Sequence, residues 1–144
     1  NKKYRILSPS DFGLHNSIIK KNSIEFIDFE YFGWDDPVKL TCDFILHPAM
    51  KLSDNHKQYW IKQMCYIFND DPHFKNRLYA SYYLYSICWC LIMLNDFKID
   101  KNEFNNYNFK NNNKRKLKLQ IQLNKSKSSF KTILLKYKKK ISYE

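Results

Sequence analysis

The chain has 144 residues and a mass of 17.6 kDa, the length of one ordinary domain, and 44% of its residues are hydrophobic, which excludes wholesale disorder. Its two glycines, Gly13 and Gly33, cannot build the glycine-rich phosphate-binding loops of P-loop or dinucleotide-binding proteins. The net charge of +11 lies in the last third, because residues 98–144 hold 14 Lys or Arg against 3 Asp or Glu.

Lysine makes up 22 of the 25 basic residues, and it lacks the forked geometry that reads base edges, so the composition argues against a nucleic-acid partner. The cysteines Cys42, Cys65, Cys88 and Cys90 lack zinc-site spacing and predict free thiols in a reducing cytoplasm, the last two of them buried. The uncharged stretch Leu78–Leu94 is diluted by Tyr and Ser and predicts a core helix rather than a membrane span.

In chain order, the predicted elements begin with a loop over Ser8–Asn16, where Pro and Gly break any period. Two short β-rich runs, Ser17–Lys20 and Ile24–Phe29, follow and predict a hairpin. The pair Asp36-Pro37 is typical of a helix start, with Asp as N-cap and Pro at the first helical position. This helix should end before Pro48.

Two further helices are predicted from apolar spacing. The first covers about Asn55–Phe68 and the second follows Asp71-Pro72 and extends to Phe97. Their predicted buried stripes are, for the first, Trp60, Met64 and Ile67 and, for the second, Phe74, Leu78, Ser81, Tyr85, Cys88 and Ile92.

The last third is predicted to be an Asn-rich connector over 98–113, followed by a basic amphipathic helix from about Lys114. The helix docks by its apolar side while its lysines face water. The predicted apolar face consists of Leu119, Leu123, Ser126, Phe130, Ile133, Tyr137 and Ile141.

Three polar residues before and after the hairpin have the spacing of a phosphoryl-transfer site. Asp11 and Asn16 form a D-x-x-x-x-N interval, and Asp28 ends the second predicted strand. Phosphoryl transfer needs one carboxylate to orient the attacking hydroxyl and take its proton, while an amide oxygen and a second carboxylate suit Mg²⁺. The pattern therefore predicts Asp11 as catalytic base and Asn16 and Asp28 as metal ligands. Protein kinases bind magnesium through the Asp of an Asp-Phe-Gly (DFG) motif. Asp28, and not the literal string Asp11-Phe12-Gly13, is predicted to correspond to that Asp.

The motif SPSDFGLHN resembles a variant Brenner motif of the aminoglycoside phosphotransferase and choline kinase-like family, and IDFEYFGWDDP resembles that family's I-D-[FW]-E segment and the turn after it. Pro9-Ser10 stands where the family usually has His-Gly. The resemblance implies an α+β, mostly helical fold, the C-terminal lobe of a protein-kinase-like fold with a small β-hairpin carrying the catalytic loop. It also implies a small-molecule kinase that uses Mg²⁺ and transfers the γ-phosphoryl of ATP or GTP to an acceptor hydroxyl.

The length and patterning of the sequence, together with the resemblance, also set expectations about organisation. We expect a single domain over 1–144, with the catalytic loop and hairpin in 1–35, a helical core in 36–97, the connector in 98–113 and the basic helix in 114–144. We expect the isolated chain to be inactive, because no counterpart of the family's nucleotide-binding N-terminal lobe is seen, and we expect that lobe or a partner chain to cover the cleft.

Other interpretations of the same residues stay open. Asp11 could be a loop cap, Asn16 a turn residue and Asp28 an ordinary strand-end carboxylate. Asp43 could brace the catalytic loop or be a surface carboxylate, and His15 suits a structural role better than a catalytic one. The alternative function is a non-catalytic remnant or binding module whose basic C-terminal helix binds a polyanion or a protein partner.

Overall fold

The computed structural model of the protein describes residues 2–98 and 112–141. It is α+β and mostly helical, as predicted, with two small antiparallel sheets. The predicted connector 98–113 lies almost wholly outside the described residues. The strands are β1 Ile6–Ser8, β2 Ser17–Lys20, β3 Ser23–Phe26 and β4 Gly33–Asp35. The helices are α1 Pro37–Leu46, α2 Asp54–Ile67, α3 Phe74–Ile92 and α4 Asn112–Ile141, with short 3-10 helices at Lys2–Tyr4, Leu14–Asn16 and Asn95–Phe97.

The predicted hairpin is present, but its second strand is shorter than expected. Ser17 pairs with Phe26 and Lys20 with Ser23, which leaves a two-residue turn between the strands. The strand ends at Phe26 rather than Phe29, because Asp28 adopts a left-handed backbone conformation (φ 65°) that a strand cannot contain. Asp28 therefore lies just beyond the strand and not at its end.

A second sheet was not predicted. β1 and β4 pair antiparallel, with Ser8 opposite Gly33 and Ile6 opposite Asp35. This pairing draws together the two ends of the segment 9–32, which contains the predicted catalytic loop and the hairpin. The sheet therefore fixes where that segment stands on the rest of the fold.

Helix α1 begins and ends where the sequence predicts. The Asp36 side chain accepts a hydrogen bond of 2.9 Å from the Val38 N–H, and Pro37 is the first helical residue. The helix ends at Leu46, before Pro48. Asp36 thus satisfies one of the backbone donors that a helix start leaves without a partner.

Contacts divide the chain into two compact units, one up to Tyr85 and one from Ser86, and α3 contributes to both. The first unit has a core in which α1, α2 and α3 meet. Each large apolar side chain buried there contributes about 1.5–3 kcal/mol relative to leaving it exposed. The fully buried members of this core are Val38, Cys42, Met64, Phe74 and Leu78.

The predicted stripes on α2 and α3 are only partly buried. On α2, Met64 is buried but Ile67 is 60% exposed, so this part of the prediction is wrong. On α3, Phe74 and Leu78 are buried, whereas Cys88 and Ile92 are exposed, contrary to prediction. The helix ends at Ile92 instead of Phe97, and a turn leads into the 3-10 helix at Asn95–Phe97.

The second unit joins the end of α3 to α4. Ser126 is 5% exposed, and its hydroxyl donates a hydrogen bond of 2.9 Å to the Cys90 carbonyl. Lys118 pairs with Asp96 at 3.2 Å. The predicted apolar face of α4 is present in part: Phe130 and Tyr137 are about half exposed, and the side chain of Ile141 lies outside the described residues.

The segment Phe74–Phe97 is long enough and apolar enough, with a hydropathy of 1.2, to cross a membrane. This result differs from the prediction for Leu78–Leu94. Only 17% of the apolar 18-residue stretch within this segment is buried. Length and composition are weak evidence for a membrane span, because the core helix of a soluble protein can be equally long and apolar. The absence of a membrane partner stays a prediction.

Candidate functional site

The predicted catalytic Asp11 follows a tight turn. Ser8 is fully buried, and its hydroxyl oxygen accepts a hydrogen bond of 3.0 Å from the Ser10 N–H. The Asp11 N–H in turn donates to the Pro9 carbonyl at 2.8 Å. Ser10 adopts φ 62°, a conformation that L-residues other than Asn and Asp rarely use. The turn leaves the Asp11 side chain partly exposed to solvent.

Asn16 contacts Asp11 directly. Its side-chain amide nitrogen donates to the Asp11 carbonyl at 3.0 Å and to the Asp11 carboxylate Oδ2 at 3.3 Å. The amide oxygen of Asn16 therefore points away from these two bonds, and no hydrogen bond to it is found among residues 2–98 and 112–141. Two of the three predicted site residues are thus brought together.

Among the described residues, the structure links Asp28 to the other two only through its neighbour in the chain. The N–H of Ile27, its neighbour, donates to the Asn16 carbonyl at 2.9 Å. The Asp28 side chain is exposed. The Tyr31 phenol donates a hydrogen bond to the Glu30 carboxylate, which is the main cause that raises the pKa of the phenol, and the charges of Asp28 and Asp11 raise it further. Both carboxylates therefore act on the same phenol.

Two histidines also face Asp11. The His15 Nε2 lies 3.1 Å from the Asp11 Oδ1, and the His47 Nε2 lies 3.8 Å from the same oxygen. The two imidazole rings stack with centroids 3.8 Å apart and planes within 3°. We call Asp11, His15, Asn16 and His47 the Asp11 cluster.

The neighbours of His47 indicate its tautomer. The Ala49 N–H donates to the His47 Nδ1 at 3.2 Å, so Nδ1 carries a lone pair and Nε2 carries the proton when the ring is neutral. Burial lowers the pKa of His47, and the nearby His15 lowers it further, against the opposite effect of Asp11. The neutral ring therefore presents an N–H towards the carboxylate.

One oxygen of Asp11 and one nitrogen from each histidine lie within 4.8 Å of one another, close enough to suggest a metal site. Two features oppose this interpretation. The in-plane lone pairs of two parallel rings run along lines that do not meet at one ion, and the His47 Nε2 carries its proton in the neutral tautomer. We therefore interpret His15 as an N–H donor to the Asp11 carboxylate, and His47 as a ring that stacks on His15 with its own N–H facing the same oxygen at 3.8 Å.

Gly13 is required by the packing of His15. A Cβ at this position would lie 2.7 Å from the His15 Nδ1 and Cε1 and 2.9 Å from the Met50 sulfur. The Leu14 N–H donates to the same sulfur at 3.1 Å. The glycine thus lets the imidazole lie against the loop, where its Nδ1 is buried without a hydrogen-bond partner.

Sequence reasoning did not identify Lys39, whose amine also reaches this loop. Its amine lies 3.0 Å from the Asp35 Oδ2 and 2.9 Å from the Asp43 Oδ2, and it donates to the Ser10 Oγ at 3.1 Å. Burial opposes its charge, but the hydrogen bonds to Asp43 and Asp35 outweigh burial and raise the pKa of the lysine. The i,i+4 spacing of Asp35, Lys39 and Asp43 is the one sequence signal that could have revealed it.

The side chains present suit magnesium. Mg²⁺ takes hard oxygen ligands, and Asn16 offers an amide oxygen while Asp28 offers an exposed carboxylate. The Asn16 nitrogen is engaged by Asp11, which fixes which end of the amide is available. The donor set is therefore compatible with the predicted ion.

Comparisons with models of protein families, with curated proteins and with solved structures found no match to this chain.

Proposed function

We propose that this chain carries the catalytic loop of a phosphotransferase that moves the γ-phosphoryl of ATP or GTP to an alcohol hydroxyl of a small molecule. The observation that supports the proposal best is the contact between Asp11 and Asn16, because it links the predicted base to a predicted metal ligand. The proposal includes the finer fold assignment, the C-terminal lobe of a protein-kinase-like fold, and it includes a nucleotide as the donor.

In this proposal Asp11 accepts a hydrogen bond from the acceptor hydroxyl, orients it for attack and takes its proton. The donors from His15 and Asn16 occupy one oxygen each and fix the orientation of the carboxylate. Asn16 and Asp28 would hold Mg²⁺, which neutralises charge on the nucleotide phosphates when bound. A nucleotide-binding lobe of the kind that the resembled family uses, or a partner chain, would supply the remaining nucleotide contacts.

Acidic residues near α1 do not define the acceptor. Asp36 caps α1 and binds Arg77, while Asp35 binds Lys39 and accepts a hydrogen bond from the Asp36 N–H. These carboxylates are already engaged within the protein, so they give no reason to favour a cationic acceptor. We propose only a hydroxyl-bearing small molecule.

The test is a phosphotransfer assay with the protein. Mg²⁺-ATP and Mg²⁺-GTP are supplied with panels of sugars, amino alcohols and aminoglycosides. Asp11→Asn should lower kcat by about 10²–10⁴-fold at an unchanged melting temperature. The control Asp70→Asn removes an exposed carboxylate away from the site and should leave kcat unchanged. Full activity of Asp11→Asn would refute the role of Asp11.

A second candidate function rests on α4. The helix contains no acidic residue, and its outer surface forms a shallow groove of about 360 Å³ between lysines and aliphatic side chains. Such a surface suits a polyanion or an acidic protein partner by charge. The residues that line the groove are Lys114, Leu117, Lys118, Ile121, Gln122 and Lys125.

Binding to heparin and to duplex DNA at ~50 mM salt tests this candidate. Nonspecific binding should weaken with salt, with a logarithmic slope of about −0.9 per phosphate neutralised on DNA. A triple change of Lys114, Lys118 and Lys125 to Gln should remove binding. The same change at three lysines of α2 and α3, Lys57, Lys62 and Lys75, should have little effect. Equal loss from both sets would show that total charge and not this groove is responsible.

A further inference from the structure

Charged and polar side chains recur every four residues along α1 and the residues that flank it. We call this row the ladder, and its members are Asp35, Lys39, Asp43 and His47. Lys39 is bonded to a carboxylate one turn before it, Asp35, and to another one turn after it, Asp43. One turn further on is His47, which stacks on His15. Lys39 and Asp43 lie four apart within α1 and share a helix face, whereas Asp35 ends β4 just before the helix and is joined to this face by its contact with Lys39, and His47 directly follows the helix.

The ladder reaches the loop that carries Asp11 at two places. At one end, the Lys39 amine donates to the Ser10 hydroxyl, and Ser10 directly precedes Asp11. At the other, His47 lies against His15 and faces the Asp11 Oδ1. The loop is thus held on both sides of Asp11 by Lys39 and His47, which lie in or directly after α1 and are not part of the D-x-x-x-x-N motif.

Lys39 is fixed in a way that surface lysines are not. An ammonium group has three donors, and Lys39 directs them at Asp35, Asp43 and Ser10. Its side chain is 32% exposed, and two carboxylates compensate its charge. Ser10 adopts a left-handed backbone conformation, and the bond from Lys39 adds to the two hydrogen bonds, Ser10 N–H to the Ser8 hydroxyl and Asp11 N–H to the Pro9 carbonyl, that hold this turn.

We propose that Lys39 is a positioning residue, which fixes the turn at Ser10 and so aims the Asp11 carboxylate. This inference rests on the proposed function for its catalytic meaning, but the restraint itself can be measured without activity. A purely structural role, in which Lys39 only neutralises Asp35 and Asp43, predicts no change at Ser10 when the amine is removed.

The restraint is tested by NMR relaxation on the chain as it is. In Lys39→Met, the backbone order parameters of Ser10 and Asp11 should fall from about 0.85, the rigid value, to below about 0.6. Ser10→Ala removes only the acceptor of the same bond and should loosen the same two residues. At Ser10 and Asp11 the double variant should be no looser than Lys39→Met alone, because Lys39→Met already removes the Lys39–Ser10 bond that Ser10→Ala removes. The control Lys62→Met removes an exposed lysine on α2 and should change nothing here.

Unchanged order parameters at Ser10 and Asp11 in both Lys39→Met and Ser10→Ala would overturn the proposal. In the phosphotransfer assay, Ser10→Ala and Lys39→Met should lower kcat about 10- to 100-fold while the nucleotide KM stays within about twofold, because misaiming the base affects the chemical step. A wild-type protein without activity, but with the expected loosening in the variants, would refute the proposed function and leave the restraint established.

Discussion

The imidazole rings of His15 and His47 stack face to face, with centroids 3.8 Å apart and planes within 3°. His15 lies in the 3-10 helix before β2, and His47 directly follows α1. The stack therefore fastens the end of a core helix to the loop that carries Asp11. Both rings direct Nε2 towards the same carboxylate oxygen, so the stack lies directly beside the predicted base.

Protonation of His47 should lower the stability of the folded protein as the pH falls. Burial and the neighbouring His15 lower the pKa of His47 in the folded state, while Asp11 and Asp43 oppose this effect. The unfolded state then binds the proton more readily, so the contribution to stability is complete above about pH 6.5 and is lost as the pH falls through the folded pKa. Melting temperatures between pH 7 and 5 should show this decline.

His47→Phe keeps an aromatic ring for stacking but cannot titrate. The fall in its melting temperature between pH 7 and 5 should therefore be smaller than the fall in the wild type. His47→Ala should in addition lose the stack, at a cost of about 0.5–1.5 kcal/mol at pH 7. The control His56→Phe replaces an exposed imidazole and should keep the wild-type pH dependence. An equal decline in wild type and His47→Phe would contradict this prediction.

The two glycines of the chain provide a matched test of loop packing. Gly13→Ala would place a methyl group 2.7 Å from the His15 ring, so the ring must move away from Asp11. We expect a destabilisation of about 1–3 kcal/mol by urea denaturation. Gly33→Ala meets nothing within 4 Å and should change stability by no more than about 0.5 kcal/mol. A neutral Gly13→Ala would show that His15 does not need this position.

Local signals predicted the start and end of α1 because each has a chemical cause within a few residues. Asp36 accepts the hydrogen bond of a helix cap, and Pro48 prevents the helix from continuing. The meeting of Asp11 with Asn16 was predictable for the same reason, since a short loop joins them. The role of the assembled site stays a prediction.

Contacts between distant segments were not predictable. The pairing of β1 with β4 joins two three-residue strands that carry too few residues to show alternation. The approach of Lys39 to Ser10 and of His47 to His15 depends on how α1 packs against the loop. On α3, the regular spacing continues through Cys88 and Ile92 although nothing described covers them, so periodicity alone overstated the core.

Arg77 holds together the starts of two helices. It binds Asp36, the N-cap of α1, and Asp71, whose side chain is 3% exposed. Burial opposes ionisation of Asp71, but the hydrogen bonds from Arg77 and the His73 N–H outweigh it and lower the pKa of the carboxyl. Stability from Asp71 is therefore present above about pH 4 and lost as the pH falls through the lower folded pKa.

Arg77→Met should cost about 3–5 kcal/mol at pH 7, because it leaves a buried carboxylate without its cation. The penalty should shrink towards pH 4, as Asp71 of the variant takes up a proton and loses its charge. Urea denaturation at the two pH values measures both effects. Arg5→Met, at an exposed arginine, should cost little. A penalty that is independent of pH would exclude the buried charge as its cause.

The cysteines should react at different rates with a thiol reagent. Burial raises the pKa of Cys42 to about 12, and the pKa of Cys90 is also raised by burial, whereas Cys88 is exposed. Since the thiolate is the reactive form, we expect a fast phase from Cys88. Cys88→Ser should remove this phase, and Cys90→Ser should leave it. If Cys90→Ser removed the fast phase instead, Cys90 and not Cys88 would be the accessible thiol of α3, and the prediction would be wrong.

The bond between Ser126 and Cys90 should account for part of the stability of the second unit. The Ser126 hydroxyl is buried and donates to the Cys90 carbonyl at 2.9 Å, so Ser126→Ala leaves a buried acceptor with one partner fewer. We expect a loss of about 1 kcal/mol in the free energy of unfolding. Ser128→Ala removes an exposed hydroxyl from the same helix and should change stability by no more than about 0.5 kcal/mol. Equal effects of the two changes would mean that helix propensity, which is common to both, outweighs the hydrogen bond.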